Sequence, residues 1–201
     1  MRKGKRKPLT AADLMAKLNS DPEYVAMRQR KEAELQARVA EWRRAEAPLV
    51  EELNAAGFVV NSVWDLVNTS EPYPDALPIL IDHLQRSYPS RVREGIARAL
   101  ATSQSKCAWE VLTRLFREES AEDAKDGLAV AIAAAADNEV IEDVISLARD
   151  RTQGPSRLLL LRALERSKDP RAQAALIELE SDPELETQIK IILRGRKRRR
   201  R

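Results

Sequence analysis

Two residues have side chains suited to nucleophilic or metal chemistry near neutral pH: His83 and Cys107, the one histidine and the one cysteine of the chain. A zinc site draws on several histidines or thiolates at short spacings, and neither H-x-x-x-H nor C-x-x-C occurs. A thiolate nucleophile needs a base or a cation beside it, and Cys107 has no histidine near it in sequence. The residues at 32-residue steps from His83 are Leu115, Leu147 and Leu179, so His83 reads as a half-buried structural residue in a leucine position. The acidic pairs Glu51-Glu52, Glu118-Glu119 and Glu142-Asp143 read as solvated helix surface. No glycine-rich phosphate loop and no G-x-S-x-G elbow is present. The expectation is a chain with no enzymatic activity, no cofactor and no metal.

The other chemistry on offer is cationic. Arg93, Lys125 and Arg157 recur at 32-residue steps, and Arg98, Arg162 and Arg194 fall on a second such column, with Val130 between the first two. In a stack of repeats a column becomes a line. Arg93, Arg98, Lys125, Arg157 and Arg162 are therefore candidate binding residues, and ion pairing with acids such as Glu94, Asp126 or Glu165 is the alternative. A further cationic run closes the sequence: Arg194, then Arg196, Lys197, Arg198, Arg199, Arg200 and Arg201. The net charge of +3 balances +12 in the two terminal runs against −9 in the stretch between. Blocks of like charge repel and stay extended, which predicts disordered basic tails over 1–9 and 196–201. The C-terminal tail is a candidate polyanion-binding element.

Elements that could hold these columns are visible in the apolar pattern. Ile96, Leu128, Leu160 and Ile192 stand 32 residues apart. So do Ala99, Ala131 and Ala163; Leu100, Ile132 and Leu164; Leu80, Leu112, Val144 and Leu176. Within a unit the apolar residues recur at helical spacing, as in Leu77, Leu80, Ile81 and Leu84, or Val92, Ile96, Ala99 and Leu100. Turn and cap residues separate the segments, for instance Gln153-Gly154-Pro155-Ser156 and Lys168-Asp169-Pro170. One helical hairpin cannot bury its apolar face alone, and stacking makes a continuous core. The fold class expected is all-α, an α-solenoid of about four to five antiparallel hairpins.

The pair Val92-Arg93 followed by Ile96, Ala99 and Leu100 resembles the second helix of HEAT-like repeats, and recurs weakened at Ala124-Lys125 and Ser156-Arg157. The resemblance covers residue 74 to about residue 195. It implies a solenoid whose second helices line a concave surface. The Asp that often precedes the apolar-Arg pair is replaced by Ser90, Glu122 and Gly154, which departs from a regular Asp–Arg ladder. HEAT-like DNA glycosylases need aromatic residues around a lesion, whereas Trp64 and Trp109 fall in core columns and Trp42 in an N-terminal stripe.

Ahead of the repeats, Thr10 is placed to cap a short helix from Ala11, and Asp21-Pro22 to start another. Pro48 marks a kink or boundary. Residues 10–56 thus read as a helical cap, or as a helix pairing with another chain, before a repeat region over 57–195. No apolar run approaches the roughly 20 residues of a membrane span. With one cysteine and no secretory pattern, a reducing cytoplasm is expected. Arginine exceeds lysine and alanine is abundant, the pattern of GC-rich bacterial coding. The function expected is a scaffold binding a protein or peptide on its concave face. The alternative is a nucleic-acid-associated protein anchored by its tails. Oligomeric state is left open.

Overall fold

The computed structural model describes residues 10–199, with side chains through residue 196. It is all-helical, 79 % helix, with eleven α-helices and no strand among the described residues. No helix among them is long and apolar enough to cross a membrane. Residues 1–9, expected to form a basic tail, lie outside the described residues, as do Arg200 and Arg201.

The chain forms two compact units, Met1–Arg44 and Ala45–Arg201. In the first, α1 (Ala11–Asn19) starts at a capping box. Thr10 accepts from the Asp13 amide, and the Asp13 carboxylate accepts from the Thr10 amide. Asp21 then caps α2 (Pro22–Ala55) by accepting from the amides of Glu23 and Tyr24. None of residues 10–44 is buried; the apolar stripe of this unit stays open, with Leu14, Met15, Met27 and Leu35 all exposed. Pro48 is not a helix boundary: α2 runs through it to Ala55. The unit boundary falls between 44 and 45, so residues 45–56 belong with the second unit, where Leu49 and Leu53 are fully buried.

The second unit continues with α3 (Val63–Asn68), α4 (Leu77–Leu84), α5 (Ser90–Ala99), α6 (Trp109–Glu118), α7 (Glu122–Ala135) and α8 (Ile141–Arg149). It closes with α9 (Arg157–Arg166), α10 (Pro170–Glu178) and α11 (Glu186–Arg199). Helices α3, α5, α7, α9 and α11 pack one on the next. Helices α4, α6, α8 and α10 each pack on the helix that follows them. The residues aligned above are all core: Ile96, Leu128, Leu160 and Ile192 are at most 3 % exposed, as are Leu80, Leu112, Val144 and Leu176. Burying one such leucine contributes about 1.5–3 kcal/mol.

Close approach within the odd-numbered series rests on two glycines. A Cβ on Gly127 would lie 2.9 Å from the Glu94 carbonyl oxygen and 3.1 Å from the Ala97 Cβ; on Gly95 it would lie 2.7 Å from Val63 Cγ1. Only a hydrogen fits between these helices.

Helix ends supply a second device. Helices α7 and α9 stop at residues with extended backbone, Ala136 and Ser167, so carbonyls of the last turn face outward without partners of their own. An arginine of the next odd-numbered helix takes them. Arg166 Nη2 donates to the carbonyls of Ala133 (2.8 Å), Ala134 (3.3 Å) and Ala136 (3.0 Å). Arg196 Nη2 donates to those of Leu164 (2.7 Å), Glu165 (2.6 Å) and Ser167 (3.0 Å). The end of α5 closes on its own backbone instead, with Thr102 N donating to Leu100 O at 2.8 Å, and the residue 32 places before Arg166 is Ala134. This corrects the C-terminal expectation: residues 196–199 are the last turn of α11, and Arg196 closes α9. Helix carbonyls at a C-terminus accept a cation, which is how an arginine closes the end of α9.

Candidate functional site

The first cationic column is structural. At its first member, Arg93 Nη1 lies 2.5 Å from Glu119 Oε2. The contact is ionic, since neither Arg93 Nε nor Glu119 Oε2 finds a directed hydrogen bond. Glu119 is only 8 % exposed; its other oxygen accepts from the amides of Ser120 and Ala121, both at 2.9 Å. Lys125 donates to the Glu119 carbonyl at 3.2 Å and lies 5.0 Å from the centre of the Phe116 ring. Burial draws its pKa down, while Asp150 and Glu119 hold it up electrostatically. Arg157 is fully buried. It donates to Asp182 Oδ2 at 3.0 Å, to the carbonyls of Ala148 and Gly154, both at 3.1 Å, and to Glu184.

Arg93 and Arg157 meet acids directly, Glu119 and Asp182, while Asp150 acts on Lys125 only electrostatically; each acid lies in a loop just ahead of the start of a later helix. Each acid also accepts from the amide two residues on, at Ala121, Thr152 and Glu184 respectively. Hydrogen bonds hold the Asp150 and Asp182 carboxyls below the usual carboxylate range, from Thr152 in the first case and from Arg157 in the second. Arg157, with no exposure, is therefore removed from the candidate binding residues, and the reading of Glu119 as surface is corrected. Asp150 and Asp182 stand 32 residues apart, whereas Glu119 stands 31 before Asp150, so one loop residue takes Glu119 out of the step. The signal that finds them is an acid placed just ahead of a helix start.

The second column faces differently. Arg98 Nε donates to Glu94 Oε1 at 2.8 Å. Arg162 and Arg194 are exposed and have no ion pair or side-chain hydrogen bond among the described residues. Arg162 stands over a cavity of about 670 Å³ lined from α7, α9 and α11 and by Ala101 in the loop after α5. Its apolar lining includes Ala101, Val130, Ala134, Leu158 and Ile192, and its charged lining is Arg162, Arg166 and Glu165. A second hollow, about 480 Å³, meets the first at Ala101 and Val130 and includes Arg98. Arg196 belongs to the α9 cap already described. The side chains of Lys197, Arg198 and Arg199 lie outside the described ones.

His83 is fully buried. Its Nδ1 is 2.7 Å from Tyr88 Oη and its Nε2 2.8 Å from Glu52 Oε2. Both ring nitrogens are satisfied, which is how an imidazole occupies a leucine position. Cys107 is exposed within the 3₁₀ turn Ser103–Ala108. Among the described residues no group of three His, Cys, Asp or Glu side chains is placed to hold a metal ion. No family model, no curated protein and no solved structure matches the chain.

Proposed function

We propose that the chain is a non-catalytic interaction scaffold: a short HEAT-like solenoid that holds a protein or peptide partner on the concave face formed by its second helices. The observation that carries this reading is the cavity over α7 and α9, with an apolar floor and a solvent-facing Arg162 that no described residue engages. Pockets that bind are mostly apolar with a few placed polar groups, and extended grooves are what helical stacks offer. No cofactor enters this reading, and a reducing cytoplasm suits the single exposed thiol.

The test is a photo-crosslinking amino acid at Val130, in the cavity, compared with one at Ile177, exposed on α10. A polypeptide adduct at 130 and none at 177 supports the scaffold. Equal labelling, or nucleic acid as the sole adduct, overturns it. Five consecutive cations, Lys197 to Arg201, support a second reading, polyanion contact through the C-terminal end. Such contact has no sequence preference and weakens steeply with salt.

A further inference from the structure

We infer that the occupant of the α7–α9–α11 groove is an acidic amphipathic helix of a protein partner, its apolar face on Val130 and Leu158 and its carboxylates on Arg162 and Arg194. The inference rests on the scaffold reading and deepens it to a class of ligand.

The case for a helix comes from backbone chemistry. All the lining residues except Ala101, in the loop after α5, lie on α7, α9 and α11, whose amides and carbonyls are mostly bonded internally. The carbonyls that α7 leaves open at its end are already taken by Arg166. An extended segment would therefore bring a row of amides and carbonyls to a surface where only the side chains of Arg162, Glu165 and Gln188 are placed to pair them, and each buried orphan is costly. A helix arrives with its backbone satisfied and needs only apolar contact, the mode of helix-in-groove recognition. The floor suits it: Ala101, Ala133 and Ala134 project little beyond the backbone, so a second helix can approach closely.

The case for acidity comes from charge. The cavity is lined by two arginines against one glutamate. Arg166 is locked on three carbonyls, which leaves Arg162 as the cation able to turn toward a ligand. Arg194 extends the same column onto α11, one helix spacing away, roughly 8–10 Å. Beyond the groove the body is acidic, −9 between the terminal runs. A long polyanion meets that repulsion over its whole length, whereas a short acidic helix covers only the cationic strip. The groove also offers no aromatic side chain among its lining residues for a base to stack on.

The experiment uses the full chain and three fluorescent peptides of about 16 residues, long enough to hold a helix. The first carries leucines at i, i+3, i+4 and i+7 flanked by glutamates. The second replaces the glutamates by lysines, and the third replaces the leucines by alanines. Anisotropy titration is expected to show the glutamate peptide binding at least about tenfold tighter than either of the others. R162E, at an exposed position, is expected to abolish or invert the preference between glutamate and lysine. A melting curve for that variant confirms that it folds. Equal binding of the glutamate and lysine peptides, a preference for lysine, or no change in R162E would overturn the inference. If no peptide binds yet the Val130 crosslinker captures a polypeptide, the ligand class fails and the scaffold reading stands.

Discussion

Two columns of cations share α5 and α9, the first passing through α7 and the second reaching α11, and they do opposite work. Arg93 and Arg157 are paired with carboxylates in the loops of later helices, Glu119 and Asp182, and Lys125 donates to the Glu119 carbonyl. Arg162 lines the groove and Arg98 the hollow beside it, and Arg162 and Arg194 meet no described partner. Residue type and period are the same in both. What differs is whether a carboxylate has been placed one loop further on, and that placement separates cations that hold the fold from cations that are available to a ligand.

The sharpest way to break this contrast is at Arg157. Removing one partner of a buried ion pair costs about 3–5 kcal/mol, because the other charge is left behind. Arg151 Nε still reaches Asp182 at 3.2 Å, so Arg157→Met is expected at the low end, about 3 kcal/mol in a urea melt. A loss below about 1 kcal/mol would place Arg157 with the groove cations.

The same pair gives a pH signature. Asp182, whose carboxyl is lowered by the Arg157 hydrogen bond, contributes stability that is complete above its unfolded value near about 3.9. That contribution is lost as pH falls through the lower, folded value. Wild type is therefore expected to lose stability more steeply between about pH 4 and pH 2 than Asp182→Asn does. Superimposable acid limbs would mean that the pair is not formed in solution.

Glu119 comes next. Glu119→Ala removes two amide bonds at the entry to α7 and the ion contact to Arg93, and is expected to cost about 1–2 kcal/mol. At the bottom of the scale, Arg162→Ala is expected to shift stability by no more than about 0.5 kcal/mol. A larger loss there would mean that the groove cations are structural after all.

The apolar framework was legible because core positions must repeat wherever helices stack on copies of themselves. Ile96, Leu128, Leu160 and Ile192 could be aligned by step and are buried together. Thr10 and Asp21 were legible as caps because their chemistry is local. The Asp150–Asp182 step was open to the same search but its role was not, and Glu119 falls one residue out of step because a loop can change length without disturbing the helices on either side. Arg196 was misjudged for another reason. Hydropathy asks whether a position is apolar, and the site it fills is a ring of three carbonyls, which a sequence does not display. The groove's free cations looked identical to the consumed ones, and only side-chain geometry separates them.

The arginine caps give the molecule a grain. The last turn of α7 is closed by α9, and the last turn of α9 by α11, so each helix is finished by its successor and never by its predecessor. The arrangement is that of overlapping roof tiles, where the lower edge of one is pinned by the next. Lifting α11 uncovers the edge of α9, and lifting α9 then uncovers α7, while removal from the other end exposes no such edge. Amide protection against hydrogen exchange is accordingly expected to fall from α7 to α9 to α11, with peeling that starts at the last tile and proceeds up the slope.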